Sequence, residues 1–199
     1  STYALNGAAD FVRCNASRPP MIYVGGNDGM LHGFSAADGS EKIAYVPQGV
    51  IPSLRHLTDP SYNNKHRFFV DGSAMTGDVD TSSGNVDPND ACNTNDWRTM
   101  LVGTLGAGGK GYFVLDVTNP TTATIPGGAP AFTAANASQL VKLDRTRSIE
   151  AGTAPNCTVT GISALEQAAC NIAVEEDRDI GHITARPVQA ENDPMRTTQ

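Results

Sequence analysis

The chain has 199 residues and a mass of 20.8 kDa; 39% of its residues are hydrophobic, 18% are charged, and the formal net charge is −7. That charge, a pI near 4.9 and the lack of Lys/Arg clusters exclude a nucleic-acid-binding class, because phosphate backbones are held by grouped cations. No run of about eighteen apolar residues encodes a transmembrane helix, no basic-then-apolar start marks a signal peptide, and 20 Gly with 12 Pro predict many tight turns.

Residues 1–20 read as an irregular lead-in closed by Arg18-Pro19-Pro20, since proline fixes φ and removes a backbone donor. The start at Ser without Met reads as a mature protein or a piece of a longer one. Ile22, Tyr23 and Val24 are strand formers, and Asn27-Asp28-Gly29 tolerates the positive φ of a sharp turn, so a β-hairpin is expected. Met30, Leu31 and Phe34 begin its second strand, the cluster from Ser35 to Ser40 turns the chain again, and Lys42 to Val46 forms a third strand. Three antiparallel strands joined by Gly/Asp turns are most of one β-propeller blade or one β-meander. Pro47 to Asn64 carries Ile51, Leu54 and Leu57 at helical spacing, with Pro52 suited to a first helical turn. Phe68-Phe69-Val70 reads as a strand entering Asp71-Gly72, and residues 76–96 as a long polar loop.

Arg98 to Val117 repeats the first grammar: strand, Gly-rich turn, strand, Asp. Aligning Val24-Gly25 with Val102-Gly103 gives an offset of 78 residues, suited to two ordinary blades or one enlarged blade. Asn119 to Asn136, rich in Thr, Pro, Gly and Ala, reads as an extended connector. Ser163-Ala-Leu-Glu166 is a capping-box pattern opening a brief helix with Leu165, Ala168, Ala169 and Ile172 on one face. The tail from Asp177 is weakly patterned. The fold class expected is all-β, a partial β-propeller with quinoprotein-like blades and short helical insertions, residues 1–199 forming one domain.

Five features carry possible chemistry. Gly106-Ala-Gly108-Gly-Lys-Gly111 fits Gly-x-Gly-x-x-Gly, but Tyr112-Phe113-Val114-Leu115 continues as a strand, leaving no helix N-terminus for a pyrophosphate. Gly111 also stands where a Walker loop needs Ser or Thr. His32, His56, His66 and His182 are scattered beside no nucleophile motif, so no enzymatic or cofactor-binding residue is assigned. Asp78, Asp80, Asp87, Asp90 and Asp96 offer hard oxygen ligands of the kind calcium takes, though a solvated acidic loop is the preferred reading. Their spacing fails the EF-hand pattern, with Ser83 where Gly is required and Asn89 where a bidentate Glu is required. Cys14, Cys92, Cys157 and Cys170 show no zinc spacing. Of three possible pairings, Cys14 with Cys92 and Cys157 with Cys170 is preferred, because the latter two bracket a short loop-helix segment; the alternative is four buried thiols. Asn15, Asn136 and Asn156 begin glycosylation sequons, a short pattern that arises often by chance.

Five segments in order resemble one family. They are Tyr23-Val-Gly-Gly-Asn-Asp-Gly-Met-Leu-His-Gly-Phe, Ala44-Tyr-Val-Pro47, His66-Arg-Phe-Phe-Val-Asp-Gly72, Trp97-Arg-Thr-Met-Leu-Val-Gly-Thr-Leu-Gly-Ala-Gly-Gly-Lys-Gly111 and Leu115-Asp-Val-Thr-Asn-Pro120. Together they resemble the C-terminal propeller of the PilC/PilY proteins of type IV pili, and Asp179-Ile-Gly-His182 and Arg186-Pro187-Val188 are similar to its downstream pattern. The resemblance implies a secreted, non-enzymatic bacterial protein of the pilus tip and outer membrane, acting in pilus assembly, the balance of extension against retraction, and surface attachment. Its implied partners are pilin subunits or a pilus-tip complex, a host or abiotic surface, and the remainder of its own polypeptide. It also implies calcium, held by an Asp-x-Asp-x-Asp-x-x-x-Asp run; that run occurs at no position here, so no ligand carries over. The competing classes are a quinoprotein dehydrogenase and an outer-membrane assembly scaffold. The first would need blade-docking tryptophans and commonly a vicinal Cys pair, whereas Trp97 is the single Trp and no Cys-Cys occurs. Two hairpins with two weaker blades make an open arc, which is expected to be insoluble, oligomeric or partly folded by itself.

Overall fold

The computed structural model describes residues 8–81, 92, 97–125, 128–148 and 180–188, with Ser163, Ala164, Gln167, Ala168, Asn171 and Val174. Its frame is two antiparallel meanders. The first sheet runs β1 (Met21–Gly25), β2 (Leu31–Ser35), β3 (Glu41–Tyr45), and the second runs β4 (Met75–Asp80), β5 (Trp97–Thr104), β6 (Gly109–Asp116), β7 (Val141–Ser148), each in chain order. Both sheets are mostly strand and neither closes on itself, as in part of a propeller.

The expected first hairpin forms because β1 and β2 alternate and because Gly29 adopts φ 96°, which an L-residue rarely does. Alternation also divides each sheet into two faces. Met21, Tyr23, Leu31, Ile43 and Tyr45 face inward onto Leu101, Phe113 and Leu115 of the second sheet, with Tyr45 and Phe113 rings 5.2 Å apart. Outward, the first sheet presents Ile22, Val24, His32, Phe34 and Ala44, and the second presents Met75, Val102, Val114 and Leu143 side by side across four strands.

Several expectations are corrected. The lead-in is not wholly irregular: Ala8–Cys14 forms helix α1, whose Phe11 is buried with Trp97 at a ring separation of 6.5 Å. Phe68-Phe69-Val70 is not a strand but a bend; Phe69 and Val70 plug the core between the sheets while Asn27, Gly26 and Leu105 take their neighbourhood's backbone bonds. The long loop does not begin at residue 76, because Met75–Asp80 is strand β4, laddered to β5 from Met75↔Val102 to Asp80↔Trp97. The connector from Asn119 to Asn136 is packed, with Asn119, Ala129, Ala131 and Phe132 buried and Asn119 bridged to Ala131. The helical segment after Pro47 is a 3-10 helix, Gln48–Thr58, with Pro52 inside it and Ile51 exposed; Val50 is buried, and Leu54 and Leu57 pack on the core. Strand β7 had no counterpart in the sequence reading. Just before it, Ala137–Leu140 makes the short helix α2; farther along the chain Ala164, Gln167, Ala168, Asn171 and Val174 are helical, while Leu165, Glu166, Ala169 and Ile172 of the capping-box expectation lie outside the described residues.

Candidate functional site

Of the residues that the sequence singled out, Cys14, Cys92 and Asp78 lie where the lead-in crosses the end of the second sheet. Cys14 and Cys92 are disulfide-bonded with Cα atoms 5.7 Å apart, which ties α1 to the segment entering β5. Beside the bond is a cavity of about 340 Å³ lined by Cys14, Arg18, Cys92, Thr118, Asn119 and Ile125, among others. Arg18 donates from Nη1 to Thr99 Oγ1 at 2.7 Å and to the Thr118 carbonyl at 3.3 Å. The Thr99 hydroxyl passes a bond on to Asp78 Oδ1 at 2.6 Å, and its amide donates to Thr118 Oγ1 at 2.9 Å. Thr118 N in turn donates to Asp116 Oδ1 at 3.1 Å. A cation and a carboxylate thus meet through a shared hydroxyl, which clamps the lead-in, β4, β5 and the strand end after β6 into one unit.

Two of the metal candidates lie at this place. Asp78 lies on β4 with its carboxylate bonded to Thr99, and Asp80 ends the same strand, exposed, opposite Trp97. Among the described residues no three His, Cys, Asp or Glu side chains converge as a metal site. Asp87, Asp90, Asp96, Cys157 and Cys170 lie outside the described residues.

The Gly-rich turn serves packing. Gly106–Gly108 is a single 3-10 turn leading directly into β6, and a Cβ on Gly108 would stand 1.8 Å from the Phe69 carbonyl oxygen. The turn fits under the 69–72 bend, where Asp71 N donates to the Leu105 carbonyl. His182 Nδ1 reaches the Gly106 carbonyl at 2.9 Å, and Gly111 N donates to the Gly181 carbonyl, so the unpatterned tail is laid against the same turn.

The remaining histidines are apart from it. His32 stands on the outer face of the first sheet between Asp28 at 2.9 Å and Glu41 at 2.6 Å, stacked on Phe34. Its hydrogen bond to Glu41, opposed by burial and helped by Asp28, raises its pKa. His66 contacts Asn27 and meets Phe68 edge-on, and His56 is in the 3-10 helix.

Besides the Arg18 clamp, two groups escaped the sequence reading. Asp144, on β7, accepts from Tyr45 Oη at 2.5 Å and Gln48 N at 2.7 Å through Oδ2, and from Thr146 N at 3.0 Å through Oδ1. Burial, with the Asp144 contact adding to it, pushes the Tyr45 hydroxyl pKa well up. Asp116 is fully buried between Arg98 at 3.7 Å and Lys142 at 3.6 Å. The Asp-x-Thr pattern at Asp144 and Asp116 was a usable signal, since Asp at this spacing caps a backbone amide two residues on.

Comparison with known proteins bears on this frame. The family model of the PilY1 β-propeller domain matches residues 4–148, a span that contains both sheets. A type IV pilus biogenesis factor PilY1 homolog of Xylella fastidiosa is 46% identical over 114 residues, covering 57% of this chain and 8% of the relative. The type IV pilus biogenesis factor PilY1 of Pseudomonas aeruginosa PAO1 is 42% identical over 111 residues, covering 55% and 8%. The chain therefore matches about a twelfth of the length of these relatives. The crystal structure of the Pseudomonas aeruginosa PilY1 C-terminal domain is 38% identical, with a TM-score of 0.39, over 56% of this chain and 19% of that one.

Proposed function

The chain belongs to the PilY1 β-propeller domain family, and on that premise we propose that it contributes blades to a type IV pilus biogenesis factor exposed at the bacterial surface. The observation that carries the reading is the match over residues 4–148, supported by relatives named as pilus biogenesis factors at 42–46% identity. In this reading the blades are non-enzymatic. Their ordered polar groups, Arg18–Thr99–Asp78 and Tyr45–Asp144, are joined to one another and hold elements together. The partners are pilin subunits or a pilus-tip complex, the remainder of the polypeptide, and a host or abiotic surface. The location is the pilus tip or outer-membrane surface, where the Cys14–Cys92 bond suits an oxidising environment. Work in this location comprises support of pilus extension against retraction, and attachment.

The test is replacement of the coding region, in the encoding bacterium, by one carrying Leu101→Asp and Phe113→Asp, which break the joint core of both sheets. Surface pili counted by electron microscopy and twitching motility should both fall sharply, while a retraction-deficient background restores pili but not attachment. Full piliation, motility and attachment with the variant protein verified as unfolded would remove the proposal.

A further inference from the structure

We propose that the open edge of β1 is an acceptor for one extended peptide strand that completes the first sheet. Strand pairing alone carries this edge's capacity, whatever the pilus role.

The first sheet has three strands and the second four. Superposing the repeat at Val24-Gly25 and Val102-Gly103 places β1 on β5, β2 on β6 and β3 on β7, so β4 has no counterpart in the first sheet. The hydrogen-bond phase shows what this leaves. Gly26 N donates to the Met30 carbonyl at 2.8 Å, and Ala36 N to the Pro20 carbonyl at 2.9 Å. In an antiparallel pair, bonded positions alternate along the strand. Pro20, Ile22, Val24 and Gly26 therefore address β2, and the peptide groups of Met21, Tyr23 and Gly25 point the other way, where no backbone bond meets them among the described residues.

Natural sheet edges are blunted by charge, proline or a bulge. Met21–Gly25 has none of these, and the irregularity in this sheet lies between β2 and β3, at Gly33/Phe34. The edge is also not walled off. A cleft of about 480 Å³ runs beside it, with Tyr23 and Gly25 on one side, Val70, Asp71 and Ser73 on the other, and Arg186 contributing to the lining. Val70 N donates to the Gly26 carbonyl at 3.3 Å and closes the far end, which sets the span of the incoming strand at Met21 to Gly25.

The face chemistry specifies the occupant. Ile22 and Val24 are 57% and 47% exposed on the outer face, so the added strand needs apolar residues at the alternate positions beside them. Strand β4 has that pattern, with Met75 and Val79 on the outer side of its own sheet and Thr76 and Asp78 on the inner side. The occupant is a peptide of this alternation, held by main-chain bonds and aligned by outer-face apolar contacts.

The probe is a synthetic peptide of residues 74–81 added to the 199-residue chain, followed by site-resolved amide hydrogen exchange. Without peptide, the amides of Met21, Tyr23 and Gly25 should exchange far faster than those of Ile22 and Val24. At a peptide concentration ten times its Kd the three should slow about tenfold, and the same peptide with Pro in place of Gly77 should have no effect. Ile22→Glu with Val24→Glu, which keeps the ladder donors, should weaken peptide binding by an order of magnitude. Three results would overturn the proposal: slow exchange of the three amides at every chain concentration without peptide, protection that grows with chain concentration alone and so assigns the edge to a second copy, or no response to millimolar peptide.

Discussion

A Cβ on Gly108 would stand 1.8 Å from the Phe69 oxygen and 2.4 Å from its carbonyl carbon, both backbone atoms that no rotamer change can move. Gly108→Ala should therefore destabilise the fold by about 2–3 kcal/mol through overpacking. Gly181→Ala, which meets nothing within 4 Å, should stay within about 0.5 kcal/mol of the parent. Urea titration of both variants separates a packing turn from a phosphate-binding one, because a ligand-binding glycine would cost little in the free protein. His32 makes a second test at this scale. Its pKa is raised from 6.5 chiefly by the Glu41 bond, so the folded state holds the imidazolium more tightly than the unfolded chain does. The resulting stability is fully present below about pH 6.5 and is lost as pH rises through the elevated folded value. Stability measured across pH 5.5–8.5 (a range of about 3 units around the usual His pKa) should show the margin of the parent over His32→Gln shrinking as pH rises. A margin that is flat or grows would contradict the assignment.

At the scale of elements, β7 is laddered to β6, and one carboxylate ties it to two further elements. Asp144 joins its strand to β3 through Tyr45 and to the 3-10 helix through Gln48, and Tyr45 is also the ring that meets Phe113. Asp144→Ala removes the acceptor for a half-buried hydroxyl and a backbone amide, and should cost on the order of 3 kcal/mol. In a double-mutant cycle with Tyr45→Phe, a coupling of about 1–3 kcal/mol is expected, and a coupling near zero would show the short bond to be energetically idle. The same element shows where the sequence was hard to read. Strands β1, β2, β5 and β6 were legible because apolar residues alternate and Gly-rich turns bound them. Val141-Lys-Leu-Asp-Arg-Thr-Arg-Ser148 alternates too, but charge on both faces masks it, since its inward positions bind polar partners at Asp144 and Thr146. Met75–Asp80 hid for a related reason: its inner side carries Thr76 and Asp78, satisfied by β5 and Thr99, which reads locally as a loop. Phe68-Phe69-Val70 misled in the opposite direction, because an apolar run that plugs a core needs burial and no ladder. Helix α1 owes its position to Trp97 and Cys92, both far along the chain, so no local pattern announced it. The same distance hid the clamp at Arg18, which the Pro19-Pro20 stop made look like a mere boundary.

The whole molecule is a stack of two sheets whose inner faces are satisfied by each other and whose outer faces are not. On one flank Ile22 and Val24 are about half exposed beside Phe34, and on the other Met75, Val102, Val114 and Leu143 form a half-buried apolar row. A propeller covers each such face with the next blade, closing a ring of roughly 4–8 of them. Two flanks of different composition cannot pair with themselves as well as with each other, so contact between copies should be head-to-tail and should not stop at a dimer unless the ring closes. Sedimentation of the oxidised 199-residue chain should therefore show a mean mass that climbs with concentration above 20.8 kDa. Val102→Lys with Val114→Lys places charge in the centre of the second flank without touching the joint core, and should shift the mass back toward the monomer while leaving the first flank apolar. Mixing that variant with an Ile22→Lys, Val24→Lys variant should restore pairs and nothing larger, because each supplies the one intact flank the other lacks. A parent chain that stays monomeric at every concentration and melts cooperatively would show that the flanks are self-sufficient, and would end the open-arc reading.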